Sequence, residues 1–316
     1  MSATTIERAD GLLAQLSNEL ATAVERGGAA TVRVNARRRL PATGVVWTTD
    51  NDTTIVVTSN HVVERDDDIT ITTPDGDELA ATLVGRDPGS DLAVLSVVGT
   101  TVETAQTASD TDVRVGNLAL ALGRAGELAA TTGVVSAISG PWETGRRRRF
   151  EHLIASDAPM FPGFSGGPLL DATGRVIGIL SSHLGRGQTL AIPASEVDRI
   201  VTTIGQHGRV RRGYLGIAAQ PVALPESLRS RHGLNQERGL LLVGVEDQAP
   251  AASAGLTVGD IIVGIGETSA TGLDELRAAL DGSTVGSAVT VHLLRGGEPQ
   301  DIEVTVGEQP EERHQS

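Results

Sequence analysis

A serine hydroxyl attacks a carbonyl only when a base takes its proton and donors wait for the oxyanion. The string Pro162-Gly163-Phe164-Ser165-Gly166-Gly167-Pro168-Leu169 suits that chemistry. Its glycines let the backbone bend so that amide N–H groups converge, here those of Gly163 and Ser165. A base is on offer in Thr58-Ser59-Asn60-His61-Val62-Val63, where His61 follows an apolar run. A carboxylate is on offer in Asp87-Pro88-Gly89-Ser90-Asp91-Leu92-Ala93-Val94-Leu95, where Asp91 opens another. Each has a plainer reading: a tight glycine turn, a surface or core histidine, a turn or cap aspartate. His183 reads as a loop residue.

The reactive residues must be positioned by strands. From about residue 29 to 192 short β runs recur, among them Ala30–Val34, Gly44–Trp47, Thr54–Thr58, Ile69–Thr73, Ala81–Gly85, Ala93–Val98, Leu118–Leu122, Gly133–Ile138 and Val176–Leu180. Gly, Asp, Asn and Pro separate them, which indicates a sandwich or barrel. Residues 5–26 carry Ile6, Leu12, Leu13, Leu16, Leu20 and Val24 at helical spacing, with Gly27-Gly28 as the stop. That helix is expected to pack on the domain behind it, an oligomer contact being the alternative. A second helix is expected over Ala194–Ile204, broken by Gly205 to Gly208.

The order His61, Asp91, Ser165 is that of chymotrypsin-like enzymes. Around these residues the chain resembles the HtrA/Deg family of serine proteases. Further strings agree in register: Gly116-Asn117-Leu118-Ala119-Leu120-Ala121-Leu122-Gly123, Thr132-Gly133-Val134-Val135-Ser136, Ala155-Ser156-Asp157-Ala158, Gly174-Arg175-Val176-Ile177-Gly178-Ile179 and Leu190-Ala191-Ile192-Pro193. The resemblance covers about residues 29–307. It implies a mainly β protein, a chymotrypsin/trypsin-like double β-barrel protease domain followed by a small α/β PDZ domain. His61 would be the base, Asp91 its orienting carboxylate and Ser165 the nucleophile that forms an acyl-enzyme.

By the same register Pro159, Met160 and the strand Ile179-Leu180-Ser181-Ser182 would line the substrate pocket. No Asp or Glu occurs in Pro159–Phe164, so small or medium apolar side chains are expected there rather than Lys or Arg. The chain departs from the family at Phe164, where asparagine is usual. A weakened or switchable site, in a PDZ-bearing chaperone, is therefore the alternative to an active endopeptidase that clears unfolded proteins; a dedicated processing enzyme is a third reading. Arg146-Arg147-Arg148-Arg149 reads as a solvated loop, and the resemblance places a regulatory loop there. The resemblance also implies a homotrimer. Its usual aromatic contact has no counterpart, since no aromatic residue precedes Trp47.

Residues 212–307 carry PDZ-like strings: Arg212-Gly213-Tyr214-Leu215-Gly216-Ile217, Glu246 to Leu256, and Val258-Gly259-Asp260-Ile261-Ile262. The loop Tyr214, Leu215, Gly216 and Ile217 would hold a peptide's terminal carboxylate through backbone N–H groups, and Leu215, Ile217, Leu276 and Leu280 would receive its last side chain. The expected division is a helical segment 1–28, a protease domain 29–205, a linker 206–211, a PDZ domain 212–307 and a disordered tail 308–316.

Composition narrows the remaining classes. The chain of 316 residues has no cysteine, which excludes disulfides, a cysteine nucleophile and thiolate metal sites. Only three Phe, two Trp and one Tyr occur, so the core must come from Val, Leu, Ile and Ala. A formal net charge of -14 argues against nucleic acid as a partner. No metal or cofactor is implied, because His, Asp and Glu show no ligand spacing in the sequence. Neither a signal peptide nor an apolar run of membrane-spanning length is visible, which makes a cytoplasmic location the simplest expectation.

Overall fold

The computed structural model describes residues 3–50, 52–100, 102–140, 142–143, 149–185, 187–208, 213–280 and 284–309. The chain divides into two compact units, Met1–Val210 and Arg211–Ser316.

The first unit opens with α1 (Ala3–Ala29). Six strands follow: β1 (Thr31–Asn35), β2 (Ala42–Asp50), β3 (Thr53–Ser59), β4 (Ile69–Thr72), β5 (Glu78–Asp87) and β6 (Leu92–Val98). They close an antiparallel barrel in the order β1-β2-β3-β6-β5-β4. Next come β7 (Leu118–Gly123), β8 (Ala129–Ile138), the short ribbon of β9 (Trp142–Glu143) and β10 (Arg149–Phe150), then β11 (Ile154–Ser156), β12 (Pro168–Asp171), β13 (Val176–Ser181) and β14 (Thr189–Pro193). A second closed barrel runs β11-β14-β13-β12-β7-β8. Helix α2 (Ala194–His207) packs across β5 and β13. That cover explains why β13 is buried along its whole length rather than on alternate residues.

Both barrels are filled by Val, Ile and Leu. One core cluster joins Val45 and Val57 of the first barrel, Leu120 and Ile179 of the second, Ala23 of α1 and Val197 and Ile200 of α2. Trp47, itself buried, donates its Nε1–H to Asp198 of α2 at 2.6 Å.

Glycine misled the sequence reading of both helices. Gly27 and Gly28 do not stop α1, which continues to Ala29. They bring it close to the second barrel: a Cβ on Gly27 would lie 2.2 Å from Leu170 Cδ1, and one on Gly28 2.6 Å from Leu128 Cδ2. The C-terminal half of α1 thus packs on its own unit, while Leu12, Leu13 and Leu16 are exposed. Likewise α2 runs through Gly205 to His207, and Gly208, in the left-handed region, caps it. The linker expected at 206–211 therefore begins inside a helix, and residues 209–211 lie outside the described set.

The second unit contains β15 (Gly213–Tyr214), β16 (Ile217–Ala223), α3 (Glu226–His232), β17 (Arg238–Val245), α4 (Pro250–Ala254), β18 (Ile261–Ile265), β19 (Thr268–Ser269), α5 (Leu273–Ala279), β20 (Ala288–Arg295), β21 (Glu298–Thr305) and β22 (Gly307–Glu308). The sheet order is β16-β17-β18-β20-β21, with β19 on β18, so β16 is an open edge near α5. A small ribbon pairs β15 with β22, Gly213 opposite Glu308. Glu308 is thus part of a strand and not of a disordered tail; residues 310–316 lie outside the described set.

Candidate active site

Strand register places the base beside its carboxylate. β3 and β6 are antiparallel with Ser59 opposite Leu92, so the residues after β3 meet those before β6. The join is fixed by the Asn60 N–H donating to the Asp91 carbonyl at 2.8 Å. His61 lies in a single 3-10 turn, Asn60–Val62. Asp91 has a φ of 59°, rare for a residue with a Cβ, at the end of a turn held by Asp87, whose carboxylate accepts from Gly89 N–H and Ser90 N–H.

Asp91 is 4% exposed. Its Oδ1 accepts the His61 backbone N–H at 3.0 Å, its Oδ2 accepts from His61 Nδ1 at 2.8 Å, and the Ser181 hydroxyl donates to Oδ2 at 2.5 Å. These three donors fix the plane of the carboxylate. A carboxylate that accepts at Nδ1 fixes the imidazole tautomer with Nε2 as the free acceptor.

Ser165 sits in the loop between β11 and β12. The turn Phe161–Phe164 closes with Phe164 N–H donating to Phe161 O at 3.0 Å, with Pro162 and Gly163 at its corners and Gly163 at φ 91°. That sequence and sign fit a type II turn. The Gly163 carbonyl is held by Thr43 Oγ1 at 2.7 Å. Among the described residues, the N–H groups of Gly163 and Ser165 donate to no protein acceptor, as an oxyanion hole requires. Gly166, at φ 84°, passes so near β2 that a Cβ would lie 2.2 Å from the Thr43 carbonyl oxygen. Phe164 is 3% exposed and packs beneath the loop against Gly123, edge-on to Phe161.

These groups face a cleft of about 320 Å³ lined by Arg37, Leu40, His61, Met160, Phe161, Pro162, Gly163, Ser165 and Ser182. Of the residues expected in the substrate pocket, Met160 and Ser182 line this cleft, while Ile179 is buried in the core. Pro159 is not among the lining residues; its carbonyl accepts from Thr131 Oγ1. Leu180 is fully buried in the second barrel's core, and Ser181, equally buried, turns its hydroxyl to Asp91 instead of lining the cleft. Sequence reasoning missed Arg37 and Leu40 in the wall; Ser182, the last residue of the strand expected there, is among the lining residues. It also missed that Ser182 and His183 reach the reactive groups. Ser165 Oγ donates to Ser182 Oγ at 2.9 Å, Ser182 Oγ lies 3.4 Å from His61 Nε2, and the His183 ring lies over the His61 ring, centroids 4.1 Å apart and tilted by 30°. Two serines and a histidine in a row at the end of a buried strand were the available signal. Of the expected regulatory loop, Arg146, Arg147 and Arg148 fall outside the described residues.

The sequence spacing suggested no ligand cluster, yet the fold brings His61, Asp91 and His183 together, one ligand atom of each within 4.8 Å of the others. Asp91 already accepts from His61 and Ser181, and the two imidazoles lie against each other, tilted by 30°.

In the second unit Leu215 and Leu276 are buried in the core, with Ile217 and Leu280 packed against it. Gly216, at φ 74°, turns the loop, and among the described residues the N–H groups of Leu215 and Gly216 donate to no protein acceptor. The Tyr214 hydroxyl donates to Glu246, a bond to a carboxylate that pushes its pKa up to about 12.

Residues 42–179 match the trypsin-like peptidase domain family, and residues 213–306 match the PDZ domain family. A probable periplasmic serine endoprotease, DegP-like, of Halomonas elongata is 33% identical over 263 residues, 81% of this chain and 54% of that protein. Its counterpart in Brucella suis is 32% identical over 270 residues, 83% of this chain and 52% of that protein. The chain thus spans about half the length of the curated relatives it matches. Among solved structures, the HtrA-type protease AlgW with a tripeptide is 30% identical with a TM-score of 0.75, covering 93% of this chain and 98% of that one. The serine endoprotease from Yersinia pestis is 28% identical with a TM-score of 0.75, covering 92% and 98%. With its paired barrels, its trypsin-like and PDZ matches and these relatives, the chain belongs to the HtrA family of DegP-like serine proteases.

Proposed function

We propose that this protein is a serine endopeptidase that cleaves unfolded polypeptides and captures peptide C-termini on its PDZ domain. The observation that carries the reading is the His61–Asp91 pair, its carboxylate fixed by Ser181, opening with Ser165 and Gly163 onto one cleft. In the reaction His61 Nε2 takes the Ser165 proton as Oγ attacks the scissile carbonyl. Gly163 and Ser165 N–H groups hold the oxyanion, and His61 then protonates the leaving amine. Water, activated by the same imidazole, releases the acyl group from Ser165. Met160, Phe161 and Leu40 give part of the cleft wall apolar surface, and that part favours small or medium apolar side chains before the cleaved bond.

In the PDZ domain an extended C-terminus adds to the open edge of β16 beside α5. The Leu215 and Gly216 N–H groups face its carboxylate, while Ile217, Leu276 and Leu280 offer apolar surface to the last side chain. We assign the protease domain to residues 29–205, and the PDZ domain to residues 212–307. A homotrimer is the assembly we propose, with light scattering as its check.

The test of activity is hydrolysis of an unfolded protein by wild type and Ser165→Ala, with a fluorophosphonate probe alongside. Wild type should cleave and label, and the variant should do neither. Absence of both in wild type, with C-terminal peptides present, would replace the enzyme by a peptide-binding protein.

A further inference from the structure

A serine hydroxyl has one proton to give. In this protein Ser165 gives it to Ser182 Oγ at 2.9 Å, and Ser165 Oγ in turn accepts the Ser182 N–H at 3.4 Å. Among the described residues both hydrogen bonds of the Ser165 hydroxyl are therefore with one residue, and a bond from Ser165 to His61 Nε2 excludes the one it donates to Ser182. The exposed Ser182 hydroxyl also reaches His61 Nε2, at 3.4 Å. It is thus within reach of both the nucleophile and its base.

The segment that carries it is pinned from behind. β13 ends at Ser181, and Ser182 to Leu184 turn over the site instead of continuing the strand. The His183 N–H donates to Ser181 Oγ at 3.1 Å, and that same hydroxyl donates to Asp91. The His183 ring lies on His61, whose side chain is only 16% exposed. The turn is thus tied to the carboxylate–imidazole pair through Ser181, and it places Ser182 in the wall of the cleft that a peptide must enter.

We propose that Ser182 is a positioning residue that holds Ser165 off His61 until a peptide occupies the cleft. A bound peptide takes the space beside Ser165 and displaces the Ser182 hydroxyl. The Ser165 proton then turns to Nε2, and proton transfer is coupled to occupancy. The opposite role, a relay passing the proton from Ser165 through Ser182 to His61, would need two transfers, the second across the 3.4 Å link, which is long for a hydroxyl bond. The proposal deepens the peptidase reading and rests on it.

Ser182→Ala separates these roles. A small fluorophosphonate probe does not fill the peptide cleft, so it reports the resting nucleophile. Removing one neutral hydrogen bond should raise its labelling rate roughly fivefold. For a peptide substrate the gain should appear as a KM lowered by about the same factor rather than as a higher kcat, because bound peptide has already displaced Ser182. Labelling at the wild-type rate would overturn the proposal, and slower labelling would establish the relay instead. If neither wild type nor variant labels, the peptidase reading fails, and ¹⁵N-histidine spectra decide the geometry. A shift of the His61 Nε2 signal in Ser182→Ala, reversed in Ser182→Ala/Ser165→Ala, supports the hold; its absence overturns it.

Discussion

Asp91 shows what a single buried carboxylate does here. It accepts the His61 backbone N–H on one oxygen, and the Nδ1–H and the Ser181 hydroxyl on the other. An amide in place of this carboxylate keeps the shape but not the acceptors. Its oxygen can still take the His61 backbone N–H, and its NH₂ then faces Nδ1. Nδ1 becomes an acceptor, the ring proton moves to Nε2, and the base has no lone pair for Ser165. Asp91→Asn is therefore expected to fold normally and lose about 10⁴-fold in kcat, the scale of the same change in trypsin-like enzymes. Circular dichroism and peptide hydrolysis check the two halves of that statement. Phe164 makes the converse point. The residue that departs from the family pattern is buried under the loop, and both amides of the proposed oxyanion hole, those of Gly163 and Ser165, belong to the backbone, so the departure removes no donor.

At the scale of elements, an ion pair between the buried Asp260 and the partly exposed Arg295 ties β20 to the loop before β18. Arg295 donates Nε–H to Asp260 Oδ1 at 2.8 Å and a terminal N–H to Oδ2 at 2.7 Å, and Thr257 N–H adds a third bond at 2.8 Å. Burial alone would push the Asp260 carboxyl up. Hydrogen bonds from Arg295 and Thr257, with the guanidinium's charge, outweigh it and hold the group below the usual carboxylate range. A depressed folded-state pKa contributes stability that is present above the unfolded value, about 3.9, and is lost as pH falls through the lower folded value. The PDZ domain should therefore lose stability on acidification below about pH 4. Arg295→Met leaves a 1%-exposed carboxylate with Thr257 but without its cation and should cost about 2 kcal/mol at pH 7. Urea denaturation of both proteins at pH 7 and pH 3 measures each effect. Elements also divide what the sequence disclosed from what it hid. The strands around His61 and Asp91 were legible because turn residues bracket β-branched runs, and the reactive residues stand at strand ends. The two helix ends were misplaced because glycine marks both helix stops and close approaches; Gly27 and Gly28 serve the second role, against partners found only in the fold. The contacts of Ser182 and His183 with the reactive groups were not legible for a related reason. Both residues meet His61, 121 residues away for Ser182, and no local pattern encodes that contact.

Across the whole molecule the dominant quantity is charge. The formal net charge is -14 over 316 residues, with 40 Asp and Glu against 26 Lys and Arg. The described ion pairs engage only part of that acid excess, and most of them are exposed, where each contributes little. Like charges crowded on a compact surface repel one another, and the unfolded chain relieves that repulsion by expanding. At low ionic strength the screening length is about 30 Å in 0.01 M salt, so carboxylates across the surface of a unit feel one another; at 1 M it is about 3 Å. Added salt should therefore stabilise the folded state, even though it weakens the individual surface pairs. With a stability gain of about 2 kcal/mol, the melting temperature of a unit of some 200 residues rises by roughly 4–8 °C. Differential scanning fluorimetry from 0.01 to 1 M potassium chloride provides the measurement. A melting temperature that falls with salt would mean that attractive pairs outweigh the net repulsion. With no cysteine in the chain, the same scan should be indifferent to reductant, and the salt response can be read as electrostatics alone.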